Sequence, residues 1–144
     1  MTAISTSDCI PYTVVFPTII IIEDDCDDAD FLMEAFKEVS PGYITICFSS
    51  AKNLFIHLDT LAQKELPCLI VIDVNIPLIN GIAILDMLQA NERYAFIPKL
   101  VYSHSSNPRD RQDSFTAGAL TYIRKPNSMA EIRENAIEML SYCK

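Results

Sequence analysis

Asp73 follows the apolar run Cys68-Leu69-Ile70-Val71-Ile72 and precedes Val74-Asn75-Ile76-Pro77. A run of that length, rich in β-branched residues and closed by a proline, predicts a buried strand with a carboxylate at its tip. Such a carboxylate is held rigidly and still reaches solvent. Two further runs end in polar chemistry: Ile19-Ile20-Ile21-Ile22 leads into Glu23-Asp24-Asp25, and Leu120-Thr121-Tyr122-Ile123 leads into Arg124-Lys125-Pro126. In an open parallel α/β sheet the carboxyl ends of the strands converge on one edge, where ligands bind. Glu23, Asp24, Asp73 and Lys125 are therefore expected in one pocket. Crowded acids call for a cation, and a lysine beside them calls for an anion.

Hard oxygen ligands from one or two carboxylates, completed by water, suit Mg²⁺. Asp24 and Asp73 are the expected direct ligands, joined by the backbone carbonyl of Asn75, with Glu23 holding a metal-bound water. Without a cation, carboxylates sharing one cleft repel, and at least one pKa should rise. Ser103 closes another apolar run, Leu100-Val101-Tyr102. Lys125 and Ser103 offer a point charge and a hydroxyl beside Asp73, the equipment for holding a phosphoryl group on a carboxylate. Asp27, Asp28 and Asp30 read differently. They fall in the opening of a helix, where carboxylates cap amides and oppose the helix dipole. An EF-hand loop is excluded, because its glycine and terminal glutamate are missing.

The elements that must position these groups alternate. The first strand is expected at Thr18 to Glu23, and a helix with Leu32, Ala35, Phe36 and Val39 on its core face stops at Ser40-Pro41-Gly42. A strand over Tyr43 to Phe48 precedes a helix capped by Ser49 or Ser50, with Leu54, Phe55, Leu58 and Leu61 inward. After the Asp73 strand come a turn through Asn80-Gly81 and a helix carrying Leu85 and Leu88. Ile97 to Tyr102 is the fourth strand, and Asn107-Pro108 opens a helix that closes at Gly118. Leu120 to Arg124 is the fifth strand. Ser128-x-x-Glu131 is a capping box before a helix expected to bury Ile132, Ala136, Ile137 and Leu140. Strands alternating with helices in this way imply a parallel sheet with helices on both faces. Residues 1–17 read as an N-terminal extension, loose or forming an extra edge strand, and 18–144 as one domain; no second domain is expected after the last helix.

Composition narrows the function. The chain has 144 residues, half of them hydrophobic, enough for a real core. Asp and Glu outnumber Lys and Arg by 19 to 11, a formal net charge of −8. Such a chain is a poor candidate for nucleic acid or an anionic membrane. Its 5 cysteines are scattered without a Cys-x-x-Cys pair, which suggests buried thiols in a reducing compartment rather than a disulfide framework or a zinc site. No leader is evident, and no apolar run nears the ~18 residues of a membrane span. The cytoplasm is the expected location.

Taken in order, the acid pair Glu23-Asp24, Asp73 with Asn75 and Pro77, Ser103, Tyr122 and Lys125-Pro126 resemble the receiver domain of a two-component response regulator. The run Tyr102-Ser103-His104-Ser105-Ser106-Asn107-Pro108 is similar to receivers that stand alone. The resemblance covers roughly Pro17 to Cys143. It implies a flavodoxin-like (βα)5 fold, doubly wound, with a five-stranded parallel sheet in the order 2-1-3-4-5. It also implies a single-domain response regulator that catalyses only its own phosphorylation and dephosphorylation. A sensor histidine kinase or histidine phosphotransfer protein would donate to Asp73 with Mg²⁺ at Asp24, Asp73 and the Asn75 carbonyl. Lys125 would bind a phosphoryl oxygen. Ser103 would move toward the phosphoryl group, and Tyr122 would rotate inward behind it. The output would be a switch or a phosphorelay, with possible homodimer formation through the face of the fourth helix, fifth strand and fifth helix.

One position departs from the pattern. His104 follows the switch hydroxyl, where small residues are usual; it either shields the acyl phosphate or points outward. His57 is expected to be solvated. A redox role for Cys26 is disfavoured, because nearby carboxylates raise a thiol's pKa. An aspartate-nucleophile phosphohydrolase of the haloacid-dehalogenase type is the rival, but it wants an acid where Asn75 stands. A pseudo-receiver that signals without phosphorylation is the other alternative.

Overall fold

The structure is a computed structural model that describes residues 16–143. The expected extension lies mostly outside the described residues, so its edge strand does too. The elements are β1 (Thr18–Ile22), α1 (Cys26–Val39), β2 (Ile44–Phe48), α2 (Ala51–Asp59), a 3₁₀ turn (Gln63–Glu65), β3 (Leu69–Ile72), α3 (Gly81–Gln89), β4 (Lys99–Ser103), α4 (Pro108–Thr116), β5 (Tyr122–Arg124) and α5 (Met129–Leu140). All pairings in the five-stranded sheet are parallel, in the order β2-β1-β3-β4-β5.

The central strands are apolar throughout because helices cover both faces. Ile20, Ile22, Ile70 and Ile72 point to one side, against Leu54 and Leu58 of α2 and Ile84, Leu85 and Leu88 of α3. Ile19, Ile21, Leu69 and Val71 point to the other, against Leu32 and Phe36 of α1 and Ile132, Ala136 and Met139 of α5. The caps follow the local chemistry. Asp25 accepts from the Asp28 amide at 3.0 Å, and Ser50, Asn80, Asn107 and Ser128 cap the later helices. Helix α4 is the most weakly seated, since its one buried residue is Ser114.

Several expectations are corrected by packing. In α5 Ile137 is 59% exposed and Met139 is fully buried, because the helix presents the stripe 132, 136, 139 to the sheet. His57 is half-buried and packs on the Phe48 ring, with centroids 5.1 Å apart. Arg133 of α5 reaches α1, where its Nη1 lies 3.8 Å from Glu38 Oε1. Cys68 and Cys143 form a disulfide, with Cα atoms 4.9 Å apart across 75 residues of sequence. They meet because the turn after α5 lies beside the start of β3. Cys26 and Cys47 are free thiols.

Candidate functional site

Strand register brings the polar tips together. Ile22 pairs with Ile72, so Glu23 and Asp73, the next residues, lie side by side. Ser103 pairs with Arg124, which puts Lys125 one step beyond the sheet, its amide bonded to the Ser103 carbonyl at 2.8 Å. Asp73 is anchored to the neighbouring strand β1, its amide donating to the Ile22 carbonyl at 3.0 Å. Helix α3 supports it from below. Gly81 packs so closely that any side chain there would collide with the Asp73 carbonyl. Asn80-Gly81 was legible as a turn, but this contact was not.

The carboxylates of Glu23, Asp24 and Asp73 each place an oxygen within 4.8 Å of the others. Glu23 and Asp73 are buried, at 5% exposure each, while Asp24 is exposed. Lys125, only 7% exposed, donates to Glu23 Oε1, to Asp28 Oδ2 at 2.8 Å and to Asp73 Oδ2 at 3.0 Å. The other Asp73 oxygen, Oδ1, accepts from the Asn75 amide at 3.1 Å. Ser103 is fully buried at the end of β4. The Lys125–Pro126 bond is trans, since no described peptide bond is cis.

These contacts separate the two buried acids. Burial raises Glu23 from 4.5 to about 7, because the hydrogen bond from Lys125 only partly offsets desolvation and the Asp73 charge pushes the same way. Burial also works against the Asp73 anion, but hydrogen bonds from Lys125, Ser103 and the Asn75 amide together hold it below the usual range. Burial likewise opposes the charge on Lys125, yet its bonds to Asp28, Glu23 and Asp73 raise it above an ordinary lysine. Of the two buried acids, Asp73 is thus the one held as the anion. The donor set of hard oxygens suits Mg²⁺ rather than a softer metal.

Three residues sit differently from expectation. Asp28 is not merely a helix-opening charge; it is the third partner of Lys125. No local signal in the sequence marks this, as the two lie 97 residues apart. His104 does not cover Asp73. Its Nε2 lies 3.2 Å from Asp28 Oδ2, with the ring 60% exposed. Tyr122 already points inward, at 8% exposure, its hydroxyl donating to the Ser105 carbonyl at 2.8 Å. Arg111 lies over that ring, 5.8 Å from its centre, and helps hold it. An outward resting position for Tyr122 is therefore not the one found.

A doubly wound parallel sheet with ligand-handling groups at the carboxyl edge, over a topological switch point, is a flavodoxin-like α/β domain. Residues 19–137 match the response regulator receiver domain, and the chain belongs to that family. It is 29% identical over 112 residues to the probable cyclic di-GMP phosphodiesterase of Vibrio cholerae serotype O1, covering 78% of this chain and 24% of that one. The chain thus spans about a quarter of that relative's length. The phosphorylated cyanobacterial phytochrome response regulator RcpA superimposes with a TM-score of 0.79 at 20% identity, over 90% of this chain and 94% of the other. The Mn²⁺-bound response regulator Rcp1 gives 0.75 at 22% identity, over 87% and 92%. Receiver domains are signalling modules rather than substrate-converting enzymes. No described helix is long and apolar enough to cross a membrane.

Proposed function

We propose that this receiver domain accepts a phosphoryl group on Asp73 from a histidine kinase or phosphotransfer protein, in the cytoplasm. The observation that carries this is the buried Lys125 ammonium shared by Asp73 and Glu23, with Asp24 at the same edge. A carboxylate oxygen of Asp73 attacks phosphorus, the P–N bond of the donor's phosphohistidine breaks, and its electron pair returns to the imidazole. Lys125 binds a phosphoryl oxygen as a point charge. Asp24 and Asp73, with the Asn75 carbonyl, would hold Mg²⁺, and Glu23 would hold one of its waters. When bound, the ion neutralises charge on the transferring phosphoryl oxygens.

Ser103 and Tyr122 form the proposed switch, and the surface of α4, β5 and α5 is the proposed exit. Phe115 and Ile137 are exposed there, and Arg109 lies 3.6 Å from Asp113. That mixture of apolar and paired charge suits a weak homodimer or partner contact. Asn75 speaks against the phosphohydrolase reading, which requires an acid at that position.

Labelling with acetyl phosphate tests the reading. Asp73→Asn should take up no phosphate, and excess chelator should suppress uptake by the wild type. Undiminished labelling of the variant would place the acceptor elsewhere.

A further inference from the structure

Lys125 has an ammonium with three N–H donors, and all of them are taken. They go to Glu23, Asp28 and Asp73. An arriving phosphoryl oxygen must therefore displace one carboxylate. The partners are not equally easy to lose. The side chains of Glu23 and Asp73 are 4% and 7% exposed, whereas that of Asp28 is 24% exposed. A buried carboxylate stripped of its cation is left without solvation, while one at the rim rehydrates. Asp28 also lines an open cleft of about 290 Å³, together with Phe31, His104 and Met129, so water reaches it directly. Its retreat has a second donor in place: the same oxygen that bonds Lys125 lies 3.2 Å from His104 Nε2.

We propose that Asp28 is the exchangeable counter-ion of the phosphoryl-binding lysine: it holds Lys125 in the resting state, yields it to the phosphoryl group, and is retained by His104 once released. Asp28 and His104 are then positioning residues that act through Lys125. Together they set how tightly the site holds a phosphoryl group. His104 favours release of the lysine, and Asp28 opposes it. This assignment rests on the phosphoacceptor reading of Asp73.

Titration with beryllofluoride at saturating Mg²⁺, followed by NMR, tests the pair. Asp28→Asn removes the competing charge and should bind beryllofluoride about two- to fivefold more tightly, the range of a partly exposed ion pair. His104→Ala leaves Asp28 with Lys125 alone and should weaken binding by about two- to fivefold. A purely structural role would shift both variants the same way. In the wild type the His104 ring resonances should move on saturation, and in Asp28→Asn they should stay in place. Asp27→Asn is the control, as it removes an equal charge from the same helix turn at a side chain not bonded to Lys125. An equal gain in Asp27→Asn, or unchanged or weaker binding in Asp28→Asn, would overturn the assignment while leaving Asp73 as the acceptor. Failure of the wild type to bind beryllofluoride would overturn the phosphoacceptor reading, and this inference with it.

Discussion

The two edges of the sheet each bury a lysine, and the two are opposites. Lys125, beyond the carboxyl end of β5, is surrounded by Glu23, Asp28 and Asp73 and is raised above an ordinary lysine, as its hydrogen bonds outweigh desolvation. Lys99, at the amino end of β4, is 2% exposed and bonds only neutral oxygens, Gln89 Oε1 at 3.0 Å and the Ala95 carbonyl at 2.9 Å. Burial there has no opposing charge, so Lys99 is lowered. Burial alone thus does not decide which way a lysine shifts. What distinguishes Lys125 is an excess of negative charge over a single cation, which leaves the cluster short of positive charge and open to a metal ion. Lys99 neutralises nothing and closes off the opposite edge of the core.

The largest effect that would sharpen this contrast is on chemistry. Lys125→Met should reduce phosphate uptake from acetyl phosphate by about 10²-fold or more, the scale for loss of a charge aimed at a transferring group. Lys99→Met should leave it unchanged within about twofold, and a comparable loss there would erase the distinction. The same variants separate in stability. Removing Lys125 leaves carboxylates uncompensated and should cost about 3 kcal/mol in metal-free buffer at pH 7. Removing Lys99 loses hydrogen bonds but also a buried ammonium, and should cost about 1 kcal/mol in urea melts.

A smaller effect lies in pH dependence. Glu23 is raised from 4.5 to about 7 by burial, so the folded state holds a proton that the unfolded state has released. Its contribution is complete below the unfolded value and is lost as pH rises through about 7. Glu23→Gln should therefore remove part of the fall in stability between pH 5 and 8 in the metal-free protein; urea melts with the wild type's slope would show that Glu23 stays ionised. Lys99 behaves in the reverse sense. Its folded value is lowered, so its penalty is relieved as pH climbs toward 10.5, and Lys99→Met should flatten that rise. The raised Lys125 keeps its stabilising contribution up to 10.5 and loses it above. The smallest effect is expected at the switch. Tyr122→Phe loses the hydrogen bond to the Ser105 carbonyl and should cost about 1 kcal/mol or less, without changing phosphate uptake.

Much of this site was legible beforehand, because each of Glu23, Asp73, Ser103 and Lys125 ends or follows an apolar run, and parallel strands bring such ends to one edge. Asp28 was misread as only a helix-opening charge because capping is a local signal, whereas its bond to Lys125 is made across the fold. The burial of Met139 in place of Ile137 was missed for a related reason. Both fit an apolar stripe, and only the rotation of α5 against the sheet selects one.

What the order of residues determined by itself is whatever depends on neighbours in the chain: the alternation of strand and helix, the caps at Asn107 and Ser128, and which polar groups stand at strand tips. Tertiary structure decided the rest. It chose which carboxylates share Lys125, raised Glu23 while lowering Asp73, turned Tyr122 inward and joined Cys68 to Cys143. Desolvation, ion pairing and side-chain packing act between surfaces, and those surfaces exist only after distant segments have met.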